Sequence, residues 1–263
     1  MRTWQCWILA VVVTLGSAIW QRMSGPTYPV RARVEIGGEL SHARLLRSGT
    51  TGEDLPVRIP VGATVTGEVA WRRFPSNDTW QMIPMSREGG ELVATLATQP
   101  AAGKLEYQVL LHSGAQVQAV PERPAVARFK DHVPELVLVP HILAMFLGML
   151  FAARAGIEAA VGRPRLAPLS WAAFGLVMFG GFALGPLVQK FAFDAWWTGV
   201  PFGWDLTDNK TLLAGIAWAL AVWQLRSGRQ ARAAVLIAAI ATLVVFAIPH
   251  SVWGSQIDWS RMQ

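Results

Sequence analysis

After Val133 the chain turns into four apolar stretches, at about 134–153, 167–188, 209–225 and 233–249. None carries a clean amphipathic stripe, and helices apolar on all sides at these lengths belong in lipid. The third is short, with 15 uncharged residues from Thr211 to Leu225, so Thr207, Asp208 and Asn209 are predicted to begin its helix at the interface. Two of the three connections hold six arginines, at 154, 163, 165, 226, 229 and 232, against the single acid Glu158. Arginine concentrated in short loops between apolar runs marks the cytoplasmic side. The first helix of the set then runs inward, the second outward, the third inward and the fourth outward.

Composition supports a protein divided between two solvents. Charged residues make up 15% of the 263 residues, against about 25% in an ordinary soluble domain. The formal charge of +6 does not imply nucleic acid as a partner, because residues 23–132 nearly balance, with 12 Lys/Arg against 11 Asp/Glu. The single cysteine, Cys6, allows no intrachain disulfide.

Residues 1–22 form another apolar segment, with Trp4, Trp7 and Trp20 placed for two lipid–water boundaries. It reads as a transmembrane anchor, or as a signal peptide cleaved near Gly16-Ser17-Ala18. Either would export the segment C-terminal to it.

Residues 26–131 alternate with the period of strands. VRARVEI, LPVRIPV, TVTGEVAWRRF, ELVATLA and KLEYQVLL are separated by Gly-Gly, Ser-Asn-Asp and Pro-Ala-Ala-Gly turns. About seven strands in a hundred residues suit a sandwich. The stretch TWQMIPMSREGGELVATLATQPAAGKLEYQVLL (79–111) orders a Trp, a "PM" strand, a Gly turn, a strand, "PAG" and a Tyr strand. In this it resembles bacterial immunoglobulin/fibronectin-III-like domains, over residues of about 60–120. The resemblance implies an immunoglobulin-like β-sandwich used for adhesion, spacing or docking, and no activity. The loop at 37–55 does not fit it. No family resemblance extends to the membrane part. The expected fold is therefore an α+β membrane protein: an exported all-β sandwich (26–131), a four-helix transmembrane domain (133–263) and the N-terminal helix.

The connection KFAFDAWWTGVPFGWDLTDNK (190–210) gathers three carboxylates, two lysines and three tryptophans. Trp196, Trp197 and Trp204 suit the outer boundary, and FAFDAWW reads as a short interfacial helix before a Gly/Pro turn. Asp205 or Thr207 is placed to cap the next helix, with Asp208 in its first turn. The inferred topology brings Glu135, His141, Lys190, Asp194, Asp205, Asp208, Lys210, His250 and Asp258 to one external level. His141, His250, Asp205 and Asp208 form a candidate metal set, since imidazole and carboxylate are standard zinc ligands. They have no short ligand spacing to support it. His141, Met145 and Met149 at i, i+4 and i+8 add a copper or haem possibility, with His141 and His250 as axial ligands. The opposing expectation is that His141 is a hydrogen-bonded core histidine and His250 an interfacial one. Gly181 and Gly185 form a GxxxG suited to close helix packing. Pro140 and Pro186 are expected to kink or end their helices.

Phosphate-binding, nucleophile-elbow, zincin and dinucleotide motifs are all missing from the sequence. The reading is a bacterial inner-membrane protein with the β-domain and C-terminus outside the cytoplasm. It would act as a non-catalytic docking subunit for other membrane or periplasmic proteins. The alternatives are a metal- or haem-binding membrane protein and a small oligomeric transporter.

Overall fold

A computed structural model describes residues 2–227, 231–249, 254 and 256–261. The chain is mixed α+β and divides into two compact units, Met1–Gly25 with Val133–Gly254, and Pro26–His132 with Ser255–Gln263.

Among the described residues the second unit holds ten strands: β1 (Val30–Ile36), β2 (Glu39–Leu45), β3 (Ser48–Thr50), β4 (Leu55–Pro60), β5 (Thr66–Arg73), β6 (Gln81–Pro84), β7 (Ser86–Glu88), β8 (Glu91–Leu96), β9 (Lys104–Ser113) and β10 (Gln116–Lys130). They form a five-stranded sheet ordered β3-β10-β9-β5-β6, a three-stranded sheet β4-β8-β7 and the hairpin β1-β2. All pairs are antiparallel except β3 with β10. Alternation in the sequence explains this arrangement: in LPVRIP the residues Leu55, Val57 and Ile59 are buried while Pro56 and Arg58 are exposed. One apolar core serves all three sheets, taking Val34 and Leu45 from the hairpin, Leu96 and Ile59 from the small sheet, and Val69, Tyr107 and Phe129 from the large one. The Tyr107 hydroxyl is satisfied inside that core by donating to Leu46 O at 2.7 Å.

Residues 256–261 belong to this β unit. Ile257 N donates to Ala102 O at 3.3 Å, Trp259 N to Pro75 O at 3.1 Å, and the Arg73 guanidinium lies 4.7 Å from the Trp259 ring. Asp258, expected at the end of the helix bundle, instead accepts from the Ser260 amide at 3.1 Å within this segment.

The first unit is helical: α1 (Thr3–Ser24), α2 (Glu135–Ala160), α3 (Leu166–Val177), a π-helical turn (Met178–Leu184), α4 (Gly185–Phe193), α5 (Leu206–Arg226) and α6 (Arg232–Ala247). Its core is built mainly from small residues around Trp218, whose indole N–H donates to Thr242 Oγ1 at 2.8 Å. Gly156 sets the α2–α6 approach: a Cβ there would lie 2.6 Å from that of Ala239.

Among the described residues three helices are long and apolar enough to cross a membrane: α1, α2 and the continuous run Leu166–Phe193. The sequence pattern leads one to expect five, or four if the N-terminal segment is a cleaved signal peptide. At 1.5 Å per residue α6 covers only about 24 Å, short of a hydrocarbon core of about 30 Å. α5 is longer, at 21 residues, but opens with the polar turn Thr207–Lys210. Two boundaries also differ. α2 continues through Arg154 and Glu158 to Ala160, where the pattern predicts a loop from 154. FAFDAWW is not a separate helix: FAF ends α4, and Asp194 stops it in the left-handed conformation with φ 57°, one that Asp tolerates better than most residues.

Candidate functional site

The connection between α4 and α5 is a closed loop, and its acids do most of the closing. Asp205 caps α5, its Oδ1 accepting from the Thr207 amide at 2.8 Å and the Asp208 amide at 3.4 Å. These are two of the four amides that a helix start leaves unpartnered. Asp208, only 7% exposed, accepts through Oδ2 from the amides of Thr198 (2.6 Å) and Gly199 (3.1 Å). A Cβ on Gly199 would sit 2.6 Å from Asp208 Cβ, so only glycine lets the backbone reach the carboxylate. Asn209 Oδ1 adds a bond from Val200 N at 2.7 Å. The buried Lys210 ammonium donates to Ile248 O at 2.6 Å, just beyond the last turn of α6, where the helix dipole favours a cation. Trp196 and Trp204 remain exposed, while Trp197 stacks on Phe182 at 5.8 Å.

His141 lies one helix away, half-buried on α2. Its Nδ1 is 2.9 Å from the carbonyl oxygen of Gly180, the third residue of the π turn. A carbonyl can only accept, so Nδ1 carries the proton and Nε2 is left as the acceptor nitrogen. The turn comes close enough for this because of its glycines. A Cβ on Gly180 would lie 2.8 Å from Met145 Sδ, and one on Gly181 would lie 2.6 Å from Thr211 Cγ2. A Cβ on Gly185, the other half of the GxxxG, would meet nothing closer than Gly180 O at 3.5 Å. Pro186 opens α4 rather than ending a helix. Pro140 sits inside α2 one residue before His141.

The described members of the candidate metal set, His141, Asp205 and Asp208, do not form a metal site. Among the described residues no group of three His, Cys, Asp or Glu side chains could hold a metal ion. Asp205 and Asp208 point into backbone amides, and His250 lies outside the described residues. The remaining polar residues separate too. Lys190 pairs with Asp194 at 2.5 Å on the surface, and Glu135 is exposed in the first turn of α2.

A second cluster is visible in the sequence only as a charge signal. Arg154 and Glu158, one turn apart near the end of α2, are each 2% exposed and joined by Arg154 Nη2 to Glu158 Oε1 at 2.5 Å. The Trp7 ring lies 5.2 Å from the Arg154 guanidinium, and Arg163 Nη1 donates to Thr3 Oγ1 at 2.9 Å. The signal that could have found it is Arg-x-x-x-Glu, which puts both charges on one helix face. No family model and no curated protein matches this sequence.

Proposed function

We propose that the chain is a multi-pass protein of a bacterial inner membrane, whose β unit is exported and docks a periplasmic or membrane partner without catalysing a reaction. The observation that carries this reading is the contrast between its two units. The helical unit turns Ile8, Val12, Leu143, Phe146, Ile237 and Ile240 outward, a surface suited to lipid rather than water. The β unit instead gathers its buried apolar side chains into one core shared by its sheets, as a domain folded in water does.

A parity argument supports the topology. Residues 26–132 and 256–261 hydrogen-bond within one unit and so share a side of the membrane. The chain between them must then cross an even number of times. α2 and the run 166–193 give two crossings, and α5 and α6 add two more or none. Because α5 and α6 share a core with α2 and α3, the proposed topology has both cross, which puts Arg163, Arg165, Arg226 and Arg232 in the cytoplasm.

The docking edge is β6, which pairs with β5 on one side only and leaves Met82 45% exposed beside Trp80 at 39%. An open strand edge flanked by apolar side chains suits a partner that adds a strand. Solubilisation in mild detergent and affinity capture of the full chain should recover a stoichiometric partner, and Trp80→Ala with Met82→Lys should release it. Recovery of the chain alone would refute the docking function.

A second reading, binding of a metal or haem, has one observation in its favour. Metal-ligating histidines usually donate their other ring N–H to a carbonyl or carboxylate, as His141 does to Gly180. Purified protein should then contain copper, zinc or iron that is lost in His141→Ala. A metal-free sample with no haem absorption band excludes it.

A further inference from the structure

We propose that the cavity bounded by Trp7, Arg154, Arg163 and Arg165 binds a phosphate group, carried by either a phospholipid or a soluble phosphate. This rests on the helical unit alone and stands whether or not the β unit docks a partner.

The cavity has a volume of about 660 Å³ and is completed by Thr3, Glu158, Pro164, Pro168 and Leu169, a size within the usual range for small-molecule sites. Three arginines and one glutamate line it, a formal charge of +2. Arg154 is built in rather than draped over a surface. It is 2% exposed and fixed by Glu158 and by the Trp7 ring, yet its Nε and Nη1 have no hydrogen-bond partner in the protein. Burying a guanidinium with two unsatisfied nitrogens is costly. A structural ion pair here would gain more from an apolar replacement.

An anion in the cavity offsets part of that cost through its charge, although Nε and Nη1 themselves are closed to solvent. The planar guanidinium fork matches the oxygens of phosphate, and Arg163 and Arg165 bring the same chemistry from the α2–α3 connection. Arg163 Nε lies 4.0 Å from Glu158 Oε2, so the acid steadies two of the three cations. Thr3 accepts from Arg163, which leaves its own hydroxyl proton for the ligand. Phosphate fits better than carboxylate because its additional oxygen can engage the third arginine.

Full-length protein in nonionic detergent would be assayed two ways. Native mass spectrometry would compare retention of phosphatidylglycerol with that of phosphatidylcholine, whose choline cation would face the arginines. Equilibrium dialysis would measure radiolabelled inorganic phosphate. Arg163→Gln with Arg165→Gln should weaken binding by about tenfold or more, the scale of one or two charge-assisted hydrogen bonds. These side chains are half-exposed and exposed, so the fold survives their loss. Arg226→Gln, outside the cavity, should change nothing. Selective retention of phosphatidylglycerol identifies a lipid headgroup, and saturable binding of inorganic phosphate identifies a soluble ligand; both support the site. Absence of both, or equal loss in Arg226→Gln, overturns it.

Discussion

Tyr107 shows how one polar atom is accommodated in an apolar core. The phenol is fully buried and its hydroxyl reaches Leu46 O at 2.7 Å. Burial pushes its pKa well above the ordinary 10, because ionisation would leave a charge among apolar side chains. That fixes the direction of the pH effect. Below about pH 10 the ring is neutral in both folded and unfolded chains. Above it the unfolded chain loses the proton first, so stability falls as pH rises further. Calorimetry of the full chain should show the β transition moving down in temperature above that pH, with Tyr107→Phe removing the dependence. At neutral pH the same substitution leaves Leu46 O without its partner and should cost about 1 kcal/mol. Legibility from sequence varies at this scale. Asp205 can be named as a cap because the capping rule is local and depends on a few consecutive residues. His141 stands out as a lone imidazole in an apolar run, but its partner, Gly180, is 39 residues away. Arg154 reads as a loop residue because charge ordinarily ends a membrane helix, and only burial beside Glu158 and Trp7 shows otherwise.

Among the elements, α5 and the π turn carry the most specific expectations. Asp205→Ala removes the cap and should destabilise the start of α5 by about 1 kcal/mol, seen as faster hydrogen exchange at the Thr207 and Asp208 amides. Gly156→Val forces apart α2 and α6, whose Cβ separation would be 2.6 Å even for alanine. Overpacking of this kind costs about 1–3 kcal/mol and should lower the melting temperature of the helical unit in detergent. The strands are visible from period-two alternation, which a sheet with one buried face imposes directly. Four strands escape the reading: β3 and β7, because three residues cannot display a period, β2, which with β3 occupies the stretch 37–55 read as a loop, and the long β10, whose alternation is interrupted near Pro121 and Pro124. The π turn is also hidden. Its seven residues, MFGGFAL, satisfy an ordinary apolar helix, and only the carbonyl offered to His141 distinguishes them.

For the whole molecule, sequence suggests two kinds of structure, and the chain has two units, though with a division that does not follow chain order. Residues 256–261 return to the β unit, a pairing no local pattern announces. The proposed topology can be tested on intact cells in a Cys6→Ala background, since Cys6 is buried. A membrane-impermeant maleimide should label Ala115→Cys, in the β9–β10 turn, and reach Ser227→Cys only after lysis. Labelling of both from outside would remove the basis for the proposed topology.

That returning segment also has a temporal meaning. A ribosome delivers the partners of Pro75 and Ala102 only after the helices from α2 to α6 have been synthesised. Under the proposed topology, the early-exported strands wait for their final hydrogen bonds until the later helices have been inserted, so maturation of the outer module reports that membrane integration is complete.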